Sequence, residues 1–85
     1  MVSVQIYTTP VCPYCVKAKA LLNKKGIKYE EIDVSNDPQL RQKMSEQAHG
    51  RTSVPQIFIN GKSVGGCDDL YALDKENKLD SLLEL

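Results

Sequence analysis

Apolar residues occupy every second position at the start of the chain. Val2, Val4 and Ile6 alternate with other residues, and this period of two is typical of a strand with one buried face. The alternation ends at the segment Thr-Thr-Pro, residues 8–10. The pattern therefore predicts a first strand that ends just before the first cysteine.

A pattern with helical spacing follows this strand. Pro13 suits the first position of a helix, so Cys12 is the expected N-cap, and Gly26 is expected to end the helix. The residues predicted on the buried face of this helix, or beside that face, are Cys15, Val16, Ala18, Ala20 and Leu22. Apolar residues three and four positions apart are typical of an amphipathic helix.

A second strand and a second helix are expected in the middle of the chain. Residues 27–34 form the predicted strand, which must run parallel to the first because a helix connects the two. Asp37 and Pro38 are typical of a helix start. Apolar residues then recur at every fourth position from Leu40 to Ala48, which favours a helix.

The last third of the chain predicts a hairpin and a third helix. Residues 56–59 and 62–64 are the hairpin strands, and Asn-Gly at positions 60 and 61 suits a type I′ turn. Two glycines follow. Asp68 or Asp69 is the expected cap of the third helix, and Asp80 is the expected cap of a short last turn.

The predicted order of elements is β-α-β-α-β-β-α. This order indicates an α/β protein in which helices flank a four-stranded mixed sheet. A chain of 85 residues has room for one hydrophobic core only. Residues 1–85 are therefore expected to form a single domain.

Charge and hydropathy exclude several classes of function. Eleven basic and eleven acidic residues cancel, and no apolar run approaches the roughly 20 residues that cross a bilayer, so neither nucleic acid nor membrane is an expected partner. No secretory signal is visible, which favours the cytoplasm. Residues 1–29 hold five lysines and no acid. These lysines form either a solvated helix face or a positive potential near Cys12.

The segment Cys12-Pro13-Tyr14-Cys15 stands where the first strand gives way to the first helix. Unpaired backbone NH groups and the helix dipole stabilise a thiolate at such a position. Two thiols three positions apart can also close into a disulfide. Three cysteines are too few for a disulfide scaffold, so they favour catalysis or metal binding.

Three motifs occur along the chain in the order CPYC (residues 12–15), TSVPQIF (52–58) and GGCDDL (65–70). Together with the order of elements, they resemble the small dithiol type of the glutaredoxin family. The resemblance implies a thioredoxin-like fold and a cis peptide bond between Val54 and Pro55. It also implies a monomeric glutathione-dependent oxidoreductase that reduces protein–glutathione mixed disulfides and protein disulfides, without a tightly bound cofactor or metal.

The resemblance also implies a role for individual residues. Cys12 matches the nucleophile and Cys15 the resolving thiol, and the two form the redox disulfide. The positions matching the glutathione site are Tyr14, Val54, Pro55, Cys67, Asp68 and Asp69. Further candidates, for the glycyl carboxylate of glutathione, are Thr9, Arg41, Gln42 and Arg51. Thr9 departs from the family, in which many members have a lysine at this position.

Several of these residues have a structural alternative. Asp68 and Asp69 could serve only as helix caps, Tyr14 could serve only in surface packing, and the side chains proposed for the carboxylate could simply be solvated. Cys67 is either a third redox thiol or a small buried residue. His49 is expected in a loop or at a helix end.

Two other functions share some of these features. Cys12, Cys15, Cys67 and His49 add up to a Cys3His set, so a metal carrier is one alternative, although zinc sites usually show two paired half-sites. A dimer that holds an iron–sulfur cluster with glutathione is a variant of that alternative. A thioredoxin-type module recycled by a flavin reductase is the other alternative, and the GGCDDL segment is against it.

Overall fold

The sheet and its helices follow the predicted order in the computed structural model, which describes residues 2–85. The strands are β1 (Val4–Thr8), β2 (Glu30–Asp33), β3 (Gln56–Ile59) and β4 (Lys62–Gly65). The helices are α1 (Pro13–Lys24), α2 (Pro38–Gln47), α3 (Cys67–Lys75) and α4 (Leu79–Leu82). The strand order is β2-β1-β3-β4, with β1 parallel to β2 and β3 antiparallel to both β1 and β4.

The second strand is shorter than predicted. Residues 27–29 and Val34 lie outside β2. At the start, Ile27 donates its backbone NH to Leu22 O at the end of α1. Only the four residues Glu30–Asp33 pair with β1. The parallel arrangement itself is as predicted.

Both faces of the sheet are covered. Ile6 on β1 packs in a cluster with residues of α1, α3 and α4, whereas its neighbour Tyr7 packs with Phe58 and with Met44 of α2. The Tyr7 and Phe58 rings meet edge to face, with centroids 5.4 Å apart. β1 is therefore buried on both faces, not on one as the alternation predicted, because α2 covers the second face.

The buried face of α1 differs in part from the prediction. Its buried residues are Cys15, Ala18, Leu21 and Leu22. Val16 and Ala20 are exposed instead, because with 3.6 residues per turn they lie on the face opposite the buried stripe and not beside it. Gly26 follows the helix end with φ of 71°, as predicted for a residue that ends a helix.

The hairpin turn was predicted correctly, but two helix caps were not. Asn60 and Gly61 have φ of 53° and 81°, and two positive values are what a type I′ turn requires. The N-cap of α3 is Gly66, not Asp68 or Asp69. The cap of α4 is Lys78, and Asp80 lies in the first turn, where its carboxylate pairs with Lys25.

This four-stranded mixed sheet with flanking helices is the thioredoxin-like fold. The carboxyl end of β1 and the amino end of β3 lie at the same end of the sheet, since the two strands are antiparallel. The loop before α1 and the loop before β3 therefore lie side by side at this end. Within residues 2–85, no helix is long and apolar enough to span a bilayer.

Candidate active site

Cys12 caps α1 with its sulfur, as the sequence predicted. Its backbone is extended, with φ of −149° and ψ of 100°, and Pro13 occupies the first helical position. The Cys15 backbone NH donates to Cys12 Sγ over 3.1 Å. The first turn of α1 contains no acidic residue. A negative charge on this sulfur is therefore stabilised by a helix N-terminus with no opposing carboxylate in its first turn.

Cys15 differs from Cys12 in exposure and in ionisation. Both thiols are free, but Cys15 is buried whereas Cys12 is partly exposed. Burial, and next a hydrogen bond with Cys12, raises the pKa of Cys15 to about 12. A hydrogen bond from the Thr9 backbone and the charge of Lys19 oppose this rise in pKa. At neutral pH the structure thus contains one accessible sulfur and one hidden, protonated thiol.

The loop before β3 passes beside the Cys12 sulfur. Cys12 Sγ lies 3.8 Å from the Val54 carbonyl oxygen, and the bond between Val54 and Pro55 is cis, as predicted. Arg41 holds this loop from α2, because its Nε and Nη2 donate to Thr52 O over 3.2 and 3.0 Å. One side of the Arg41 guanidinium therefore binds the backbone of this loop.

Gln56 holds the same loop from β3. Its Nε2 donates to the Ser53 carbonyl oxygen over 3.0 Å and lies 3.3 Å from Ser53 Oγ. Gln56 is fully buried, and its Oε1 has no hydrogen-bond partner among residues 2–85. Gln56 was not among the predicted site residues. The available signal was one amide side chain at the start of an otherwise apolar strand.

The N-terminus of α3 forms the opposite side of the site. Asp69 Oδ2 accepts the Gly66 backbone NH over 2.9 Å and Arg51 Nη1 over 3.0 Å. The Gly66 NH, and next Arg51, lower the pKa of Asp69. Gly65 has φ of 99°, and a Cβ at this position would overlap the Asp69 carboxylate. Glycine is therefore required there by both backbone conformation and space.

A groove of about 190 Å³ lies between these two parts of the fold. It is lined by Tyr14, Arg51, Ser53, Val54, Pro55, Gly66, Cys67, Asp68 and Asp69. These include all six of the residues matched to a glutathione site, together with Arg51. Cys67 is buried in the wall, and burial, followed by the charge of Asp68, raises its pKa. Ser53 is a lining residue that the sequence analysis did not identify.

Three candidates for the glycyl carboxylate lie outside this groove. The Thr9 backbone contacts the Cys15 sulfur, Arg41 binds the Thr52 carbonyl oxygen, and Gln42 is exposed on α2. None of the three is among the lining residues. Sequence spacing alone could not show this, because the side of α2 that faces the loop depends on tertiary packing.

The residues considered for a metal site are not assembled into one. Among residues 2–85, no group of three or more His, Cys, Asp or Glu side chains is placed to hold a metal ion. His49 is exposed in the turn after α2, with φ of 59°. The three cysteines and His49 therefore do not form a metal-binding cluster in the part of the chain described.

Known proteins are similar to this chain in sequence and in fold. The Glutaredoxin family model matches residues 4–64. Glutaredoxin 3 of Escherichia coli (strain K12) is 50% identical over 84 residues, covering 99% of this chain and 100% of the relative. The solution structure of glutaredoxin from Brucella melitensis has a TM-score of 0.86 and 61% identity, covering 98% of this chain and 89% of the other.

A solved complex also resembles the structure. The crystal structure of a buckwheat glutaredoxin–glutathione complex has a TM-score of 0.88 and 26% identity, covering 98% of this chain and 77% of the other. The family model spans well over half of the chain, and the relative from Escherichia coli matches along its full length. The chain therefore belongs to the glutaredoxin family of thiol–disulfide oxidoreductases.

Proposed function

We propose that the protein uses glutathione to reduce protein–glutathione mixed disulfides and protein disulfides. The observation that carries this proposal is the position of the Cys12 sulfur. It caps α1 and lies 3.8 Å from the Val54 carbonyl oxygen, at the loop that lines the groove. The fold thus presents the Cys12 sulfur, at a helix N-terminus, beside a groove lined by charged and polar side chains and by backbone.

Glutathione would lie along the groove in an extended conformation. The Val54 backbone would pair with the peptide backbone of glutathione, as in strand addition. Unpaired NH groups at the start of α3 suit the γ-glutamyl carboxylate, and Asp68 is exposed and suits the ammonium group. Arg51 lines the groove and pairs with Asp69 beside this helix start, so it suits whichever carboxylate of glutathione lies nearer to α3. The buckwheat glutaredoxin solved with glutathione supports glutathione as the ligand.

Reduction of a mixed disulfide needs only Cys12. The Cys12 thiolate attacks the glutathione sulfur, the protein thiolate leaves and takes up a proton, and Cys12 is left disulfide-bonded to glutathione. A second glutathione thiolate then attacks the glutathione sulfur. Oxidised glutathione leaves, and the Cys12 thiolate is regenerated. A stabilised thiolate is a good leaving group, which favours this second step.

Reduction of a protein disulfide also needs Cys15. Cys12 attacks one substrate sulfur and releases the other as a thiol. Cys15 then loses its proton and attacks the Cys12 sulfur, which releases the second substrate thiol and leaves a Cys12–Cys15 disulfide. Two glutathione molecules reduce this disulfide and form oxidised glutathione. Burial is the main cause that raises the pKa of Cys15, so this attack requires removal of its proton.

The remaining parts of the proposal concern context. We propose that residues 1–85 form a single domain and that the protein acts as a monomer. We also propose that it acts in the cytoplasm, a reducing compartment in which glutathione keeps thiols reduced. Glutathione is a substrate here, without a resident cofactor or metal. The protein partners are glutathionylated or disulfide-bearing proteins.

A comparison of electron sources tests the function. Purified protein is assayed on a glutathionylated peptide, either with glutathione and glutathione reductase or with a flavin-dependent thioredoxin reductase. The proposal expects turnover with glutathione and little with thioredoxin reductase. Turnover supported only by thioredoxin reductase would instead favour a thioredoxin-type module.

A further inference from the structure

A second groove continues from the first between α1 and α3. It has a volume of about 170 Å³ and is lined by Tyr14, Lys17, Cys67, Asp68 and Tyr71. Three of these residues, Tyr14, Cys67 and Asp68, also line the first groove. The two grooves therefore share a boundary, and a molecule in the first groove can extend into the second.

The second groove is fixed by a contact between the two helices. Tyr71 Oη donates to the Lys17 carbonyl oxygen over 3.0 Å, which ties α3 to the middle of α1. Tyr71 remains 41% exposed, and Tyr14 is 58% exposed. Two partly exposed tyrosines thus border a preformed depression.

Several exposed apolar side chains lie in this groove or next in sequence to the segment that forms it. The large hydrophobic residues with substantial exposure are Val11, Tyr14, Val16, Tyr71, Leu82 and Leu85. Two of them line the groove, and Val11 and Val16 flank the Cys12–Cys15 segment in the chain. Exposed apolar side chains grouped beside a reactive site are typical of a surface that contacts another protein.

Lys17 gives the groove its charge. Lys19 pairs with Glu31, and Lys25 pairs with Asp74 and Asp80, but Lys17 takes part in no ion pair formed by residues 2–85. The only acidic residue in the lining is Asp68. When Asp68 binds the ammonium group of glutathione, Lys17 remains as the unpaired charge of the second groove.

We propose that the second groove binds the polypeptide that carries the glutathionylated cysteine, and that Lys17 favours an acidic residue close to that cysteine. This inference rests on the function proposed above and names its substrate class. The glutathione moiety lies in the first groove, and the substrate chain leaves the Cys12 site across Tyr14 towards Tyr71 and Lys17. Aromatic contact and one exposed ion pair then supply the recognition.

Two glutathionylated peptides and one small disulfide test this proposal. The peptides differ only in having glutamate or lysine beside the modified cysteine, and the small substrate is the mixed disulfide of cysteine and glutathione. We expect wild-type kcat/KM to be higher for the acidic peptide by up to about five-fold, the equivalent of one exposed ion pair. The preference decreases as salt rises.

Charge reversal at two positions distinguishes a local effect of Lys17 from an effect of the protein's net charge. Lys17→Glu reverses the peptide preference and leaves turnover of the small disulfide unchanged. Lys43→Glu is the matched control, because Lys43 is an exposed residue of α2, the helix that packs with Tyr7 and Phe58 on the other face of the sheet. This control retains the wild-type preference.

Changes at Tyr71 test the aromatic contact. Tyr71→Ala raises KM for both peptides but not for the small disulfide, whereas Tyr71→Phe retains the ring and loses only the bond to the Lys17 carbonyl oxygen. Equal wild-type rates for the two peptides, or equal effects of Lys17→Glu on both, would overturn the proposal. Absence of glutathione-dependent turnover of the small disulfide by the wild type would instead refute the proposed function.

Discussion

The two helices that begin at the active site are capped in opposite ways. In α1 the cap residue acts on the third helical residue, because Cys12 Sγ accepts the Cys15 NH. In α3 the third residue acts on the cap, because the Asp69 carboxylate accepts the Gly66 NH. Each helix therefore contains one half of the reciprocal arrangement known as a capping box.

In the proposed mechanism, this difference separates a helix start that reacts from one that binds glutathione. The Cys12 sulfur caps α1, and the proposal assigns the attack on the substrate to the same atom. At α3 the cap residue has no side chain, so the backbone around Gly66 stays open to the groove while Asp69 stabilises the turn from within. The four predictions below test this division, from the largest expected effect to the smallest.

The largest effect is expected from replacing each thiol. Cys12→Ser reduces activity to the uncatalysed background on every substrate, because serine does not form a nucleophilic anion at neutral pH. Cys15→Ser retains reduction of glutathionylated peptide, because glutathione itself resolves the intermediate. Serine is a preferred N-cap, so circular dichroism is expected to show an intact fold in Cys12→Ser. Loss of the reduction of glutathionylated peptide in Cys15→Ser would contradict the single-thiol route.

We expect the protein to lose stability at alkaline pH because of Cys15, the third residue of α1. The pKa of Cys15 is about 12 in the fold, against about 8.5 in an unfolded chain. Between these values the folded protein keeps a proton that the unfolded chain has lost. The contribution of Cys15 to stability is therefore complete below about pH 8.5 and decreases above it, by up to about 1.4 kcal/mol for each pH unit.

Urea unfolding under reducing conditions measures this loss. The stability difference between wild type and Cys15→Ala is compared at about pH 8 and about pH 10. The comparison between variants removes the titration of lysines and tyrosines, which is common to both. A difference that stays constant over this range would show that the burial of Cys15 does not oppose its ionisation.

We expect a smaller loss of stability at acidic pH because of Asp69, the third residue of α3. Asp69→Asn destabilises the protein by about 1 kcal/mol at neutral pH, since it weakens a helix-capping bond. The exposed pair with Arg51 adds little. The pKa of Asp69 is lowered in the fold. Its contribution to the free energy of unfolding is therefore present above about pH 4 and is lost as the pH falls through the folded pKa.

Asp68 provides the matched control for Asp69. It is the neighbouring exposed acid in the same turn, so Asp68→Asn removes the same charge without removing the bond to the Gly66 NH. We expect a change of only a few tenths of a kcal/mol in the free energy of unfolding. Equal effects of the two changes would mean that charge, not capping, stabilises the start of α3.

The smallest effect on stability is expected when the missing half of the box is added to α3. Gly66→Ser introduces a hydroxyl at the cap, which changes the free energy of unfolding by only a few tenths of a kcal/mol. The new Cβ lies 3.2 Å from the Pro55 carbonyl oxygen, so the loop before β3 must shift by a few tenths of an ångström, and the groove narrows. KM for glutathionylated peptide is expected to rise while stability is nearly constant. An unchanged KM would place glutathione elsewhere.

Local signals in the sequence predicted the local parts of the structure. Pro13 after Cys12 located the start of α1, and Asn60-Gly61 located the hairpin turn. Contacts between distant segments could not be predicted in this way. The bonds that hold the loop before β3, from Arg41 and Gln56, depend on how α2 and β3 approach the loop in three dimensions.

The same distinction explains the corrections in the site. Motifs identified the lining residues that are close together in sequence, such as Cys67 and Asp68. Thr9 and Gln42 were candidates because of charge, polarity and family position, and neither lines the groove. Gly66 replaced the aspartates as the cap of α3, because a carboxylate can cap a helix from its third residue as well as from its first.

The contact between Cys12 and Val54 spans 42 residues of sequence, and this separation has a consequence for protein synthesis. The chain emerges from the ribosome with its N-terminus first, at about 5–20 residues per second. Both cysteines of the CPYC segment thus leave the ribosome seconds before the residues that complete their surroundings. During this interval the later-buried Cys15 is open to oxidants, so its accessibility to an alkylating reagent on stalled nascent chains reports when the site is complete.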